Sequence, residues 1–416
     1  MKLKIKGKKH IEGTIKISGA KNSAVAIIPA AILCDDLITL NNIPDISDVR
    51  TQIEILNKIG FDTSFYNNTL SIKKTRKRII NTLNDDVKLL RGSYYFIGAF
   101  LAKYKKIKIN SIGGCNLGPR PINYHINAFK KLNAKIKEKN NFLLFKTAKL
   151  KGTPINLEFP SVGTTINILI ASVLAKGTTV ISNCAKEPEV VDVGNFLIAM
   201  GANITGLSTD KIIVHGVKKL HGCTYTIIND RIEAATFLAL GALSDGDGIT
   251  VENIDPCHLI SVTNTLQEMG HDLIIDSDKI TIKKGLNLHP VNIKTSPYPG
   301  FPTDLNPIFT VLLTQLPGIS ELNEMIFPLR TSHISQLNMM GANITHHENI
   351  LKILGPTELK YNYLNAKDLR CAAALMIASI LSRCSTTIDN IEFLLRGYEN
   401  IIDKLKALNV NAKIEN

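Results

Sequence analysis

Several common sequence signals are missing from this chain. Its apolar runs are too short to span a bilayer, and residues 1–6 alternate apolar and basic side chains instead of forming an apolar leader. The seven cysteines include no CxxC pair and the ten histidines no HExxH motif, which argues against the usual zinc sites and favours reduced thiols. Neither a Walker A nor a GxGxxG motif is present, so ATP and NAD are not indicated. We therefore expect a cytoplasmic protein that uses no metal and no cofactor.

Acidic residues are scarce relative to basic ones. The chain has 49 Lys and Arg against 36 Asp and Glu, for a formal net charge of +13. The basic residues are scattered, and the densest cluster, residues 73–78, has no interleaved aromatic side chains and no zinc-finger, RRM or KH signature. Attraction of small anionic substrates explains the charge at least as well as nucleic-acid binding does. We therefore expect small-molecule substrates and no nucleic-acid or membrane partner, with a non-catalytic, nucleic-acid-binding repeat protein as an alternative.

What the chain does contain is an internal repeat. An apolar helix, a short β-branched strand, a second helix and a further strand follow one another six times. The apolar helices begin near residues 22, 91, 163, 231, 304 and 370, a spacing of about 70 residues. They carry Ala, Ile and Leu on every side, which is typical of a buried helix.

The repeat predicts an α/β fold with two inside-out domains, because 416 residues are too many for one ordinary core. Each domain holds three repeats, with the apolar helices inside and the sheets outside. We place one domain at residues 21–229 and the other at residues 1–20 plus 230–416, with the first 20 residues forming strands of the second. Between the domains we expect a cleft that holds the active site.

A glycine-rich loop at residues 111–120 is the first candidate for chemistry. Three glycines and a proline exclude a helix interior or a central strand here. Cys115 lies in the middle of the loop, and Arg120 or a following helix N-terminus would lower the pKa of its thiol. Cys115 is therefore a candidate reactive thiol or proton donor on a loop that could close over a substrate. The alternative is a surface turn with an incidental cysteine.

The starts of the apolar helices are the second candidate. Four of them carry a basic residue: Lys21, Arg91, Arg231 and Arg370. A helix N-terminus already bears a positive partial charge, so basic residues there indicate a bound anion such as a phosphate. The alternative is that each arginine pairs with a local carboxylate, such as Asp230 or Asp368.

Asp304 is the candidate for acid–base chemistry. It follows a proline-rich turn at the start of an apolar helix. We expect its carboxylate to be free of salt bridges and able to deprotonate a hydroxyl. The alternative is an N-cap, and one residue could serve both purposes.

Together these segments resemble the enolpyruvyl transferase family over essentially the whole chain. The matching stretches are residues 17–22 (ISGAKN), 113–121 (GGCNLGPRP), 161–163 (SVG), 187–192 (EPEVVD), 230–233 (DRIE), 301–304 (FPTD), 368–370 (DLR) and 396–399 (RGYE). The resemblance implies two inside-out domains of three βαβαββ units each. It also implies transfer of the enolpyruvyl group of phosphoenolpyruvate to the 3-hydroxyl of UDP-N-acetylglucosamine, an addition–elimination that releases phosphate and begins peptidoglycan synthesis.

The resemblance further implies a role for each matching residue. Cys115 matches the proton donor and site of fosfomycin alkylation, Asp304 matches the base on the 3-hydroxyl, and Lys21 and Arg396 complete the catalytic set. The residues implied to bind phosphoenolpyruvate are Lys21, Asn22, Cys115, Arg120, Arg330, Arg370 and Arg396. Those implied to bind UDP-N-acetylglucosamine are Arg91, Arg120, Pro121, Ile122, Asn123, Tyr124, Ser161, Val162, Gly163, Asp304 and Ile326.

The chain departs from the family pattern at three places. Asn123 stands where aspartate is common, Phe159 and Pro160 stand where some members have a lysine, and residues 393–395 replace a usual histidine and aspartate. A sister transferase that acts on shikimate 3-phosphate is the nearest alternative, but it lacks the Gly-Gly-Cys loop. We expect a monomer.

Overall fold

The computed structural model describes residues 1–8, 10–76, 79–83, 91–110, 122–139, 142–360, 363–382 and 384–415, with the backbone alone for Arg91 and Lys139. Three residues named above, Cys115, Arg120 and Pro121, lie outside these ranges. No helix in the described ranges combines the length and the apolar character that a membrane crossing requires.

The helices of the described ranges alternate with short strands along the whole chain. The α-helices are α1 Lys21–Ala30, α2 Ser47–Ile59, α3 Tyr95–Lys103, α4 Asn123–Lys131, α5 Val162–Ser172, α6 Pro188–Ala199, α7 Arg231–Ala242, α8 Ile260–Glu268, α9 Asn306–Leu313, α10 Ile334–Met339, α11 Leu369–Leu381, α12 Glu392–Leu395 and α13 Ile401–Ala407. Short 3-10 helices cover Ala31–Leu33, Arg91–Tyr94, Pro256–Leu259 and Thr303–Leu305.

The strands of the described ranges form six four-stranded sheets that share one strand arrangement. They are β1 Lys2–Lys6, β2 Glu12–Lys16, β3 Ile38–Asn41, β4 Phe61–Tyr66, β5 Thr69–Lys74, β6 Thr82–Leu83, β7 Lys106–Asn110, β8 Lys135–Lys139, β9 Phe142–Lys146, β10 Pro154–Asn156, β11 Thr178–Ser182, β12 Asn203–Thr205, β13 Lys211–His215, β14 Thr224–Thr226, β15 Gly248–Glu252, β16 Asp272–Ile275, β17 Lys279–Lys283, β18 Asn292–Lys294, β19 Gly318–Asn323, β20 Asn343–His347, β21 Ile350–Gly355, β22 Tyr363–Asn365, β23 Ser385–Asp389 and β24 Ala412–Glu415. The sheet orders are β14-β3-β5-β4, β6-β7-β9-β8, β10-β11-β13-β12, β2-β15-β17-β16, β18-β19-β21-β20 and β22-β23-β1-β24. In each sheet the first two strands run parallel and the other two pairings are antiparallel.

The described residues divide into two compact units. The C-terminal unit lies within residues 1–18 and 229–415, and the N-terminal unit lies within residues 19–228. Each unit contains three of the six sheets. Strands β1 and β2 belong to the C-terminal unit because β1 pairs with β23 and β24 and β2 pairs with β15.

The cores of both units are built from the apolar helices. All twelve residues of α7 are buried, and in α11 burial extends from Leu369 to Ile380. Helices α7, α9 and α11 pack together in one unit, and α1, α3 and α5 in the other. Burial of Leu, Ile and Phe side chains stabilises each by about 1.5–3 kcal/mol, so a helix that is apolar all round belongs inside.

The second helix of a repeat ends where a glycine allows it. Gly60 follows α2 with φ 118°, and its N–H donates to the Leu56 carbonyl at 3.2 Å. Gly201 occupies the corresponding place after α6 with φ 94°. A left-handed residue at this point favours glycine, which has no Cβ to clash.

The predicted fold class is confirmed, with local differences. Arg91 begins a 3-10 helix and the α-helix begins at Tyr95. Asp304 likewise lies in a 3-10 turn ahead of α9. The sequence predicted where each of these two helical segments begins. It did not predict that the first turn is a 3-10 turn, because the apolar pattern is interrupted there.

Candidate functional site

Asp304 is the centre of a charge cluster in the C-terminal unit. Its Oδ1 accepts from Arg330 Nη1 at 2.7 Å and its Oδ2 from Arg370 Nη2 at 2.6 Å. Arg330 Nη1 also donates to the Thr303 carbonyl at 2.6 Å. The side chains of Arg330, Arg370 and Asp304 are 3%, 10% and 25% exposed, so Asp304 is the most accessible of the three.

The charges of this cluster stabilise one another. Burial alone would raise the pKa of Asp304, but Arg370 and Arg330 hold it well below its usual range. Burial opposes the charge of Arg370 as well, yet Asp304 raises the pKa of that guanidinium. The cluster is therefore an ionised carboxylate shared by two cations.

The expectation that Asp304 is free of salt bridges is wrong. Its partners lie 26 and 66 residues further along the chain, and packing of the unit brings them to it. The N-cap alternative is also wrong, because α9 has no side-chain cap and both carboxylate oxygens face arginines.

The local-carboxylate alternative for the arginines is wrong for Arg370. Asp368 caps α11 instead, since its Oδ1 accepts from the N–H groups of Arg370 and Cys371 and its Oδ2 from Ser332. Asp230 caps α7 in the same way. Arg231 places its guanidinium 5.5 Å from the ring centroid of Tyr298, a cation–π contact.

Two other predicted residues of this unit lie in loops. Arg396 is the C-cap residue of α12 and is half-buried. Ile326 is half-buried between β19 and α10, and its N–H donates to Glu324 Oε1 at 2.9 Å.

In the N-terminal unit, Lys21 and Asn22 are the first two residues of α1. Lys21 Nζ lies 2.8 Å from Asp48 Oδ2, and the two side chains are 12% and 8% exposed. Asp48 belongs to the first turn of α2, where a carboxylate interacts favourably with the helix dipole. The pair fixes the direction of the Lys21 ammonium.

The predicted nucleotide-sugar residues come from three segments of this unit. Arg91 begins the 3-10 helix, and Ile122, Asn123 and Tyr124 form the start of α4. Ser161, Val162 and Gly163 open α5, with Ser161 Oγ accepting from the Thr164 N–H as N-cap.

Three residues that the sequence analysis did not identify connect these segments: Tyr94, His125 and Asn167. Asn167 Nδ2 lies 3.1 Å from His125 Nδ1 and donates to the Tyr94 carbonyl at 3.0 Å. The Tyr94 and His125 rings are stacked with centroids 5.5 Å apart. A Cβ on Gly163 would lie 3.4 Å from the His125 ring, so the start of α5 faces the same histidine. No motif marks these residues, although His125 directly follows the predicted stretch.

The start of α7 depends on another residue that the motifs did not indicate. Lys404 of α13 donates to Glu233 Oε1 at 2.5 Å and to Ser18 Oγ at 2.7 Å. Glu233 Oε2 accepts from the Ser18 N–H at 2.9 Å. The side chains of Lys404 and Glu233 are 13% and 3% exposed. This buried pair ties the end of the N-terminal strand segment to α7.

Lys404→Met is expected to destabilise the fold increasingly as the pH rises. Burial raises the pKa of Glu233 to about 7 although Lys404 opposes the rise. Between the ordinary value of about 4.3 and that pKa, the folded state binds more protons than the unfolded state, so stability falls with rising pH. Without Lys404 the pKa of Glu233 rises further. Above neutral pH, the variant should therefore lose about 3–5 kcal/mol in free energy of unfolding relative to the wild type.

Urea unfolding of the variant and the wild type at mildly acidic and mildly alkaline pH measures this loss. Lys406→Met is the matched control, because Lys406 lies on the same helix with its side chain 63% exposed. A Lys404→Met loss of the same size at both pH values would contradict the expectation.

No group of three or more His, Cys, Asp or Glu in the described ranges could hold a metal ion. The ion pairs of Asp304 with its arginines in one unit, and of Lys21 with Asp48 in the other, are suited to acid–base chemistry and anion binding.

Comparison with known proteins gives consistent matches. Residues 5–405 match the family described as EPSP synthase (3-phosphoshikimate 1-carboxyvinyltransferase). UDP-N-acetylglucosamine 1-carboxyvinyltransferase 2 of Listeria monocytogenes is 46% identical over 407 residues, which are 98% of this chain and 96% of the relative. The protein of the same name from Bacillus anthracis is 45% identical over 411 residues, 99% and 96% of the two chains.

Solved structures show the same fold. The enolpyruvyl transferase NikO from Streptomyces tendae matches with a TM-score of 0.88 at 21% identity, covering 99% of this chain and 98% of that one. EPSP synthase from Acinetobacter baumannii matches with a TM-score of 0.77 at 17% identity, covering 99% and 100%. At these identities the likeness concerns the fold alone.

Proposed function

The chain belongs to the EPSP synthase family of enolpyruvyl transferases, and on this basis we propose that it transfers the enolpyruvyl group of phosphoenolpyruvate to the 3-hydroxyl of UDP-N-acetylglucosamine and releases phosphate. The observation that carries the proposal is the 46% identity, over nearly the full length of both chains, to a relative named for that activity. The reaction is the first committed step of peptidoglycan synthesis.

The proposed reaction is an addition followed by an elimination. The 3-hydroxyl oxygen bonds to C2 of phosphoenolpyruvate while C3 takes up a proton, which gives a tetrahedral intermediate. Phosphate then leaves C2 as C3 loses a proton, which restores the double bond. Cys115 is the proposed proton donor to C3, and Asp304 is the proposed acceptor of the hydroxyl proton.

The Asp304 cluster supports a role for anion binding in this chemistry. A carboxylate held between two guanidiniums is a weak base, because Arg330 and Arg370 keep its pKa low. An anionic substrate that draws either guanidinium away would raise that pKa and make the carboxylate a better base. Binding of phosphoenolpyruvate to these arginines would thus prepare Asp304 for proton transfer.

The remaining binding residues are assigned by the same proposal. Lys21, Asn22, Arg120 and Arg396 join the two arginines in binding the phosphate and carboxylate of phosphoenolpyruvate. The nucleotide sugar is bound by the three segments that Asn167 and His125 connect, together with Ile326.

We propose that residues 21–229 and residues 1–20 plus 230–416 act as the two functional domains, the first of which carries the Cys115 loop. We also propose a cytoplasmic monomer. The six cysteines in the described ranges are free thiols, as expected in a reducing compartment. Sedimentation of the protein at micromolar concentration measures its mass in solution and so tests whether it is a monomer.

Phosphate release tests the proposed function directly. The protein is incubated with phosphoenolpyruvate and either UDP-N-acetylglucosamine or shikimate 3-phosphate. We expect release with the nucleotide sugar only. Release with shikimate 3-phosphate alone would overturn the proposed acceptor while keeping the enolpyruvyl chemistry, and release with neither would overturn the proposal.

A further inference from the structure

Glu324 is a buried carboxylate directly after β19, with 3% of its surface exposed. In the described ranges its hydrogen-bond partners are all neutral donors. Oε1 accepts from Thr295 Oγ1 at 2.8 Å and from the N–H groups of Ile326 and Phe327, both at 2.9 Å. Oε2 accepts from Thr303 Oγ1 at 2.9 Å and Asn306 Nδ2 at 2.8 Å.

Five hydrogen bonds to one buried carboxylate require a structural or functional reason. A buried ionised group is costly unless its oxygens are satisfied, and hydrogen bonds to an anion are about twice as strong as neutral ones. The donors come from three chain segments, at β18, at the 3-10 turn before α9 and after β19. Glu324 therefore determines where these segments lie relative to one another.

Each oxygen of Glu324 holds a different part of the proposed site. Oε1 bonds the turn that carries Ile326, a proposed nucleotide-sugar contact. Oε2 bonds Thr303, whose own carbonyl accepts from Arg330 and whose neighbour is Asp304. The carboxylate thus connects the proposed base and its arginine to the turn beside the acceptor substrate.

We propose that Glu324 is a positioning residue for the transfer reaction: it holds the Asp304 segment through Oε2 and the Ile326 turn through Oε1. The inference rests on the proposed function, because it assigns a purpose to the two segments that Glu324 joins. It predicts that mutations can distinguish the effects of the two Glu324 oxygens on the reaction. Loss of an Oε2 donor should affect turnover, and loss of an Oε1 donor should affect nucleotide-sugar binding.

The first test is Thr303→Val, which removes one donor to Oε2 and leaves the Oε1 side intact. Because misplacement of a reacting group by about 1 Å can cost about a hundredfold in rate, we expect kcat to fall by about tenfold to a hundredfold. The KM for UDP-N-acetylglucosamine should stay within about threefold, since the Ile326 turn is unchanged.

The second test is Thr295→Val, which acts on the other oxygen. Thr295 Oγ1 donates to Oε1 and accepts from the Met325 N–H at 2.9 Å, so its loss loosens the turn. Here we expect the KM for the nucleotide sugar to rise by about tenfold with a smaller change in kcat.

Glu324→Gln completes the series, because its amide NH2 would face the Asn306 amide donor in place of Oε2. We expect it to reproduce the kcat loss of Thr303→Val. Glu321→Gln is the matched control, since Glu321 lies on β19 with its side chain 41% exposed and pairs with exposed Lys352. The control should leave kcat, KM and thermal unfolding unchanged.

The outcomes separate this inference from the proposed function. Equal losses of thermal stability in both threonine variants, with kcat and KM unchanged, would show a purely structural carboxylate and overturn the inference alone. Should Glu324→Gln fail to fold, the threonine variants still decide the question. A wild type that releases no phosphate with the nucleotide sugar would overturn the proposed function and this inference with it.

Discussion

Asp304→Asn is expected to lower kcat by at least about a hundredfold, because general base catalysis contributes about 10²–10⁴ to the rate. The amide keeps the size of the side chain but cannot take up the hydroxyl proton. It also presents an NH2 group to Arg330 or Arg370. In the wild type, both arginines contact a carboxylate oxygen of Asp304 at 2.6–2.7 Å. Steady-state phosphate release measures the loss.

Binding of UDP-N-acetylglucosamine to this variant should stay within about tenfold of the wild type, because transfer of a proton affects the transition state more than the bound substrate. The fold should lose about 3–5 kcal/mol, since two buried cations lose their counter-ion. Calorimetric titration and thermal unfolding measure these two effects separately.

Asp276→Asn is the control for Asp304→Asn. Asp276 pairs with Lys279 at 3.7 Å, and its side chain is 50% exposed. An exposed pair of this kind contributes little to stability, so neither turnover nor unfolding should change. A large loss of nucleotide-sugar affinity in Asp304→Asn with unchanged kcat would mean that Asp304 binds the substrate and does not act as the base.

Cys115→Ser is expected to abolish alkylation by fosfomycin, with no adduct detected by mass spectrometry. A serine hydroxyl is a far weaker nucleophile than a thiolate. Among the described cysteines, Cys34, Cys184 and Cys371 are poor substitutes because they are buried. Burial raises the pKa of Cys34 and Cys184, and it raises the pKa of Cys371 and Cys223 to about 11.

Cys257→Ser is the matched control for this experiment. Cys257 is exposed, so it is the described thiol that a reagent in solution reaches most easily. This variant should be alkylated at Cys115 as fast as the wild type. An adduct on Cys34, Cys184 or Cys257 in the Cys115→Ser protein would contradict the assignment of Cys115 as the reactive thiol.

The sequence predicted the architecture because the signals involved are local. A helix such as α7, apolar on every side, can only be buried, and a glycine such as Gly60 ends the helix before it. Repetition of this pattern along the chain predicted six similar units before any contact was known. The tight turns at Arg91 and Thr303 were missed, because a 3-10 turn has no periodicity of its own.

The candidate site was predictable only in part. The positions of Lys21 and Ser161 at helix starts were predicted correctly, because the motif of each coincides with its position in the repeat. The partners of Asp304 were missed, because they are separated from it by 26 and 66 residues. Sequence reasoning favoured an unpaired carboxylate there, and only the structure shows that it is paired with two arginines.

What the amino-acid sequence determined by itself is the repeated α/β fold and the family, since both depend on patterns that are read along the chain. Only the tertiary structure decided which charged and polar groups contact one another. These contacts join Asp304 to its two arginines, Lys404 to Glu233, and Glu324 to donors from three segments. A hydrogen bond or ion pair depends on atoms that lie within about 3 Å of one another. Between residues far apart in the chain, that distance is set by the packing of buried helices and sheets.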